Sequence, residues 1–243
     1  MNYFVDYDYF KVKIVADLLG YICWLSVGYF SYKYYFKKQL ILIPFRSFEE
    51  KLFYYLWVLA WALFFAMIIS SFDNFVVNWW SKIVLSKSIA WAICGWVISS
   101  EIIKKIYNLD FNRWVLFVPS LVVWTIVGRL WAFFIGLRDN THWNPTNLPW
   151  WYNYWDWINR HPAQLYEILV LIIFWIIFYF WLKYKKEYWI INWFFWFTLV
   201  YFSYRFLVWF VMPYSHYWIG LNTIQIVALW MIGYSIYKLK KFS

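Results

Sequence analysis

Charge is scarce in this chain: Asp, Glu, Lys and Arg make up only 14% of its 243 residues, against 65% hydrophobic ones. A soluble domain of this size needs far more charge to cover its surface, so that class is excluded. Cysteine is nearly missing. Cys23 and Cys94 both fall inside apolar runs, which argues against a disulfide framework and against a zinc site. Met1 to Tyr9 carries Asp6 and Asp8 and no basic region, so no cleavable signal peptide is visible. No internal repeat and no low-complexity segment stands out. The net charge of +10 lacks the form that nucleic acid requires, because the basic residues sit in short loops and make no stripe. What is plentiful is aromatic surface, with 23 Trp, 23 Tyr and 25 Phe, which suits a protein with much membrane interface.

The apolar runs predict an all-α polytopic membrane protein with seven transmembrane helices in a single domain spanning 1–243. The expected spans are 13–32, 52–71, 83–103, 114–136, 163–182, 188–210 and 217–237, each about 20 residues, the length a bilayer core demands. Lys87 and Glu101 lie near the ends of the third and are read as snorkelling to the interfaces. Lys and Arg set the orientation. Fourteen lie in the loops after spans one, three and five and at the C-terminus: Lys33, Lys37, Lys38, Arg46, Lys51, Lys104, Lys105, Arg113, Lys183, Lys185, Lys186, Lys238, Lys240 and Lys241. Six lie on the other side: Lys11, Lys13, Lys82, Lys87, Arg138 and Arg160. The bias predicts an outside N-terminus and a cytoplasmic C-terminus. The outer loop at 137–161, crowded with Trp and Tyr, is expected to lie along the membrane interface.

One stretch breaks the apolar pattern: Arg160-His161-Pro162-Ala163-Gln164-Leu165-Tyr166-Glu167, at the mouth of the fifth span. Proline suits a first helical turn, so Pro162 is expected there with His161 as the N-cap. Arg160, Gln164 and Glu167 then share one helical face. Glu167 falls roughly 7–8 Å into the membrane, where an unpaired carboxylate costs several kcal/mol. Other spans carry polar groups at the same outer level. Arg129 lies roughly 10 Å deep on span four, Arg205 roughly 7–8 Å deep on span six and Gln225 roughly 12 Å deep on span seven. Asp17 of span one is at a similar level. Thr125, Arg129, Ala132 and Gly136 share a face of mostly small residues that admits a close neighbour. Two readings stay open. The residues are either structural ion pairs, Arg129 and Arg205 against Glu167 and Asp17, or an anion site whose planar arginine forks suit a lipid phosphate.

On these motifs the chain resembles the bacterial prolipoprotein diacylglyceryl transferases over roughly residues 128–225. Gly128-Arg129, with Gly136 behind it, resembles the family's Gly-Arg signature. Pro145-Thr146 and Pro149-Trp150 are similar to the loop that follows. Arg160-His161-Pro162-x-Gln164-x-Tyr166-Glu167 is the most specific match, and Arg205 and Gly220 to Gln225 resemble the last two spans. Where the family has two asparagines and a glutamate after Gly-Arg, this chain has Ala132, Ile135 and Leu137. Trp209 stands for a later glutamate, and Ala90 for a third-span histidine read as a base.

The resemblance implies transfer of a diacylglyceryl group from phosphatidylglycerol to the lipobox cysteine of a prolipoprotein at the outer leaflet of the plasma membrane. The bond formed is a thioether, the leaving group is glycerol phosphate, and no metal or cofactor is expected. It further implies that Arg129 and Arg205 hold the phosphate, and that His161 is the histidine best placed to act as base on the thiol. Arg160, Gln164, Tyr166, Glu167 and Gln225 shape the substrate site, with Asp139 and His142, alongside His216, as the nearby groups placed to replace lost polar residues. The alternative is a lipid- or lipopeptide-binding membrane protein that keeps the fold without the chemistry.

Overall fold

The computed structural model describes residues 3–33, 47–69, 71, 88–108, 114–139, 143–154, 156–184, 187–212 and 220–241. Seven α-helices lie among them: α1 Tyr3–Ser31, α2 Phe48–Phe64, α3 Ile89–Ile106, α4 Val118–Ile135, α5 Ala163–Lys183, α6 Glu187–Val208 and α7 Thr223–Lys241. A π-helical turn, Phe65–Ile69, extends α2, and a tight 3-10 turn, Trp114–Phe117, leads into α4. Strands β1 (Tyr152–Asn153) and β2 (Asn159–Arg160) form a short antiparallel ribbon before α5.

Four helical stretches among the described residues are long and apolar enough to cross a membrane: Phe48–Ile69, Trp114–Ile135, Ala163–Trp181 and Asn192–Val211. The other three expected spans fall on α1, α3 and α7, and α1 holds a shorter apolar stretch, Leu18–Ser31. Within the third expected span the described helix begins at Ile89. Ser88 is extended and its hydroxyl accepts from Trp91 N at 3.5 Å, so α3 begins at Ile89. Residues 83–87 lie outside the described residues.

A helix that is apolar all round still has two faces in a bundle. On α5, Leu169, Ile173, Ile176 and Phe180 are exposed, while Ile168, Leu171, Phe174 and Phe178 are buried. The exposed set recurs at helical spacing and forms a lipid-facing stripe. The buried set packs on α6, whose Phe194, Phe195, Phe197, Tyr201 and Phe202 make an aromatic spine. Its rings meet edge to face, with Trp114–Phe194 centroids 4.7 Å apart and Phe178–Trp193 5.0 Å apart. Such geometry adds roughly 0.5–1.5 kcal/mol per pair beyond area burial.

Helix α6 packs along both α5 and α7, α4 packs on α1 and α5, and α2 packs on α3, which reaches α7. In lipid, close approach and hydroxyl contacts hold helices together. Thr198 Oγ1 and Ser235 Oγ share a 2.8 Å hydrogen bond between α6 and α7, both fully buried. At Gly95, α3 lies against Trp61 and Phe65 at the end of α2 with no room for a side chain. A Cβ there would lie 2.8 Å from the Trp61 carbonyl oxygen and 2.7 Å from Phe65 Cβ. Glu101 does more than snorkel: its carboxylate pairs with Lys104 at 3.3 Å and with Lys238 of α7 at 2.7 Å. Lys104 Nζ also stands 4.2 Å from the Trp114 ring centroid.

At the other end, Asn144 N donates to Val211 O at 3.2 Å and Thr146 N to Asn159 O at 2.9 Å. Trp143 is buried against Ala163, Val208 and Met212. These contacts fasten the loop before α5 across the start of α5 and the end of α6.

Candidate functional site

Glu167 stands in the first turns of α5 with only 3% of its side chain exposed. A carboxylate so buried needs partners, and two arginines supply them. Arg129 of α4 places Nε 2.8 Å from Oε2, and Arg205 of α6 places Nη2 3.2 Å from Oε1. Three charges from three helices therefore meet, as the sequence led us to expect for groups at one depth. Arg205 is in the last turn of α6, where the helix dipole favours a cation. Neither Arg129 Nε nor Glu167 Oε1 makes a directed hydrogen bond among the described residues, so the cluster is held by charge. The ion-pair reading thus holds for Glu167. The side chain of Asp17 lies outside the described residues.

The two arginines are held differently. Arg205 Nε and Nη2 both donate to Tyr201 Oη, at 3.1 and 3.0 Å, and its guanidinium carbon lies 5.3 Å from the Tyr201 ring centroid. Tyr201 lies four residues earlier on the same helix, so this brace is local. Arg129 keeps 17% of its side chain exposed. Among the described residues its guanidinium makes no hydrogen bond, and its pair with Glu167 is closest through Nε. That guanidinium fork, a shape suited to a phosphate, is therefore not taken up by hydrogen bonds among the described residues.

Around this cluster the polar residues of α5 divide. Gln164 is 1% exposed, and its Oε1 accepts from Tyr154 Oη of the ribbon loop at 3.1 Å. Burial pushes the Tyr154 hydroxyl up to about 12, so it stays protonated and remains a donor. Gly136, at φ 66°, lets the chain turn under Tyr154, whose Cδ1 would lie 3.0 Å from an added Cβ. Tyr166 Oη accepts from Trp150 Nε1 at 2.8 Å and meets His161 Nδ1 at 3.2 Å. Burial lowers the His161 pKa, so its ring is neutral at neutral pH.

Three expectations need correction. Helix α5 begins at Ala163, and the Pro162 carbonyl accepts from Leu165 N at 2.9 Å and Tyr166 N at 3.3 Å. Pro162 is therefore the N-cap, and His161 precedes it. The cause is the ribbon: His161 N donates to Asn144 O at 3.4 Å, and a residue before proline avoids helical geometry. Arg160 accordingly lies in β2 rather than on the face of Gln164 and Glu167, and its guanidinium pairs with Asp156. Gln225 lies in the first turn of α7, which begins at Thr223 rather than at 217 as the expected span did. Its Oε1 accepts from Asn222 N at 3.0 Å while Asn222 Oδ1 accepts from Gln225 N at 2.9 Å, a reciprocal capping box. Its Nε2 donates to Phe206 O at 3.2 Å, beside Arg205.

Asp139 closes the 3-10 turn Gly136–Asp139, with its side chain outside the described residues. His142 and His216 also lie outside them. Ala90 is buried in the apolar core with Ile93, Cys94 and Val97. Among the described residues no three His, Cys, Asp or Glu side chains gather as a metal would require. The sequence reading missed Tyr201 and Tyr204, and placed Tyr154 and Trp150 only in the aromatic loop, without a site role. Tyr201 had a signal, its i,i+4 spacing to Arg205. Tyr204 Oη donates to Ala163 O at 2.9 Å across 41 residues, and no local pattern reports such a contact.

The arrangement offers two cations sharing one buried carboxylate, with Tyr166 one residue away on α5 and its hydroxyl against the His161 imidazole just before that helix. No curated protein matches the chain. The family model described as prolipoprotein diacylglyceryl transferase matches residues 25–239, nearly the whole length, and the chain belongs to that family, a family of transferases that are polytopic membrane proteins.

Proposed function

We propose that this chain transfers a diacylglyceryl group from phosphatidylglycerol to the lipobox cysteine thiol of a prolipoprotein, at the outer leaflet of a bacterial plasma membrane. In this reading seven spans place the N-terminus outside and the C-terminus in the cytoplasm. The observation that carries the proposal is the Arg129–Glu167–Arg205 cluster, with the Arg129 guanidinium free of hydrogen bonds among the described residues. Two arginines and one carboxylate leave one net positive charge, which matches the single negative charge of a phosphodiester. Arg129 and Arg205 bind the lipid phosphate, and Glu167 keeps the two guanidinium groups from repelling each other. Gln225 anchors α7 to the α6 backbone beside Arg205.

In the transfer the cysteine thiolate attacks the glyceryl carbon, the C–O bond to phosphate breaks, and its electron pair leaves with glycerol phosphate. The arginines hold the charge that develops on the leaving group, in a setting with little water to screen it. A free thiol has a pKa of about 8.5, so only a few per cent is ionised at neutral pH without help. Help comes from the positive field of the two arginines and from His161. Loss of His161 then weakens transfer, whereas loss of Arg205 abolishes it.

A second reading has one observation in its favour. Ala90 sits in the apolar core where the family pattern has a histidine, which suits a lipid- or lipopeptide-binding protein without chemistry. One experiment separates the two: a lipobox peptide incubated with phosphatidylglycerol and purified membranes, read by gel shift. A thioether-linked product that is lost in Arg205→Ala supports the transferase. No product from the unmutated protein, with lipid still bound, supports the binder. Complementation of a strain depleted of the transferase checks the same point in cells.

A further inference from the structure

The hydrogen bonds around His161 fix which of its nitrogens is available. Trp150 sits in the turn closed by Trp151 N to Leu148 O at 3.1 Å, and its indole N–H points at Tyr166 Oη, 2.8 Å away. An indole can only donate, so the Tyr166 oxygen is the acceptor in that bond. The hydroxyl still has its own proton to place. Among the described residues the acceptor within reach of Oη is His161 Nδ1, at 3.2 Å. If Nδ1 carried a proton instead, Tyr166 would receive two donors and leave its own O–H without a partner, which wastes a hydrogen bond. The set closes in one way: Trp150 donates to Tyr166, Tyr166 donates to His161 Nδ1, and the ring proton of neutral His161 is on Nε2. One lone pair of the Tyr166 oxygen remains, on a half-buried side chain one residue from Glu167.

We propose that Tyr166 relays the substrate thiol's proton to His161 Nδ1, and that Trp150 is a positioning residue that aims the Tyr166 hydroxyl at the imidazole. This rests on the transferase reading above. The thiol S–H donates to the free lone pair of Tyr166 Oη. As the S–H bond breaks and a new O–H bond forms, the original Tyr166 proton moves to Nδ1. The products are a thiolate, a neutral tyrosine and an imidazolium, so charge and protons balance. The imidazolium returns its proton to the departing phosphate oxygen or to water. The burial that keeps His161 neutral at rest is consistent with this starting state.

The chain has three histidines, so protein labelled with nitrogen-15 histidine gives three rings to resolve, and His161→Gln assigns one of them. The expected His161 spectrum is the Nε2–H tautomer with Nδ1 accepting a hydrogen bond. Tyr166→Phe removes that bond and mixes the tautomers, and Trp150→Phe does so partly. In the peptide assay Tyr166→Phe slows transfer by about 100-fold, the low end for general acid–base groups, with the lipid KM unchanged. An Nδ1–H tautomer in the unmutated protein overturns the relay, as does parental transfer by Tyr166→Phe. Either result leaves the transferase reading standing with His161 acting directly. Absence of any transfer by the unmutated protein sinks the relay together with that reading.

Discussion

Replacing Glu167 by glutamine removes one charge and almost no volume, and its consequences follow from the distances. The carboxylate is 3% exposed and touches Arg129 at 2.8 Å and Arg205 at 3.2 Å. Removing one partner from a buried ionic cluster costs about 3–5 kcal/mol, because the remaining charges stay buried. The two guanidinium groups are then on the order of 6 Å apart, where like charges repel by roughly 3 kcal/mol at an effective dielectric of about 20. At about 2–4 °C per kcal/mol for a chain of this size, Glu167→Gln should lower Tm on the order of 10 °C. The same arithmetic has a second half. An anion seated on the arginines restores the missing charge, so bicelles containing phosphatidylglycerol should stabilise the variant more than the parent, relative to zwitterionic bicelles. The assay is thermal unfolding of the purified chain in both bicelle types. A variant melting within a degree or two of the parent, or lipid stabilisation equal in both, refutes the view that Glu167 is the counter-charge of a phosphate site.

Other outcomes follow from single features. With Cys23 and Cys94 replaced, a cysteine at Asn147 should react with an impermeant thiol reagent in intact cells and one at Ser31 should not; the opposite pattern reverses the topology. Asn222→Ala breaks the capping box with Gln225, which should cost about 1 kcal/mol and lower Tm by about 2–4 °C, whereas Asn222→Ser should keep most of it. Burial holds His161 below its ordinary 6.5, so the folded chain takes up that proton less readily than the unfolded one. Its share of stability is complete above about pH 6.5 and is lost as pH falls through that value toward the lower folded pKa. Tm should therefore drop more in the parent than in His161→Gln between about pH 7 and pH 5, and equal drops would remove the assignment.

The convergence of Arg129, Glu167 and Arg205 was legible in the sequence because lipid makes charge expensive. Charged residues at one depth on different spans have few places to go except toward each other. Backbone choices were less legible. Nothing in Arg160-His161-Pro162 announces that Arg160 will pair with Tyr152 in a ribbon and that His161 N will donate to Asn144 O, yet these contacts remove Arg160 from the helical face of Glu167. Asn222-x-x-Gln225 carried a capping signal, but a span counted from residue 217 concealed it. Glu101 looked like a residue at a helix end, and its partner Lys238 is 137 residues away, beyond the reach of any local pattern.

The notch at Gly95 bears on how this protein can change over generations. An added Cβ would press on the Trp61 carbonyl oxygen, which is main chain and cannot rotate aside. The backbone of α2 has effectively been built against a position without a side chain, and the wide turn at Phe65–Ile69 begins where the two helices touch. Gly128 and Gly233 meet nothing within 4 Å of an added Cβ, so no such steric lock holds them. A lineage can therefore leave glycine at 95 only after α2 has moved, and α2 gains nothing by moving while 95 stays glycine.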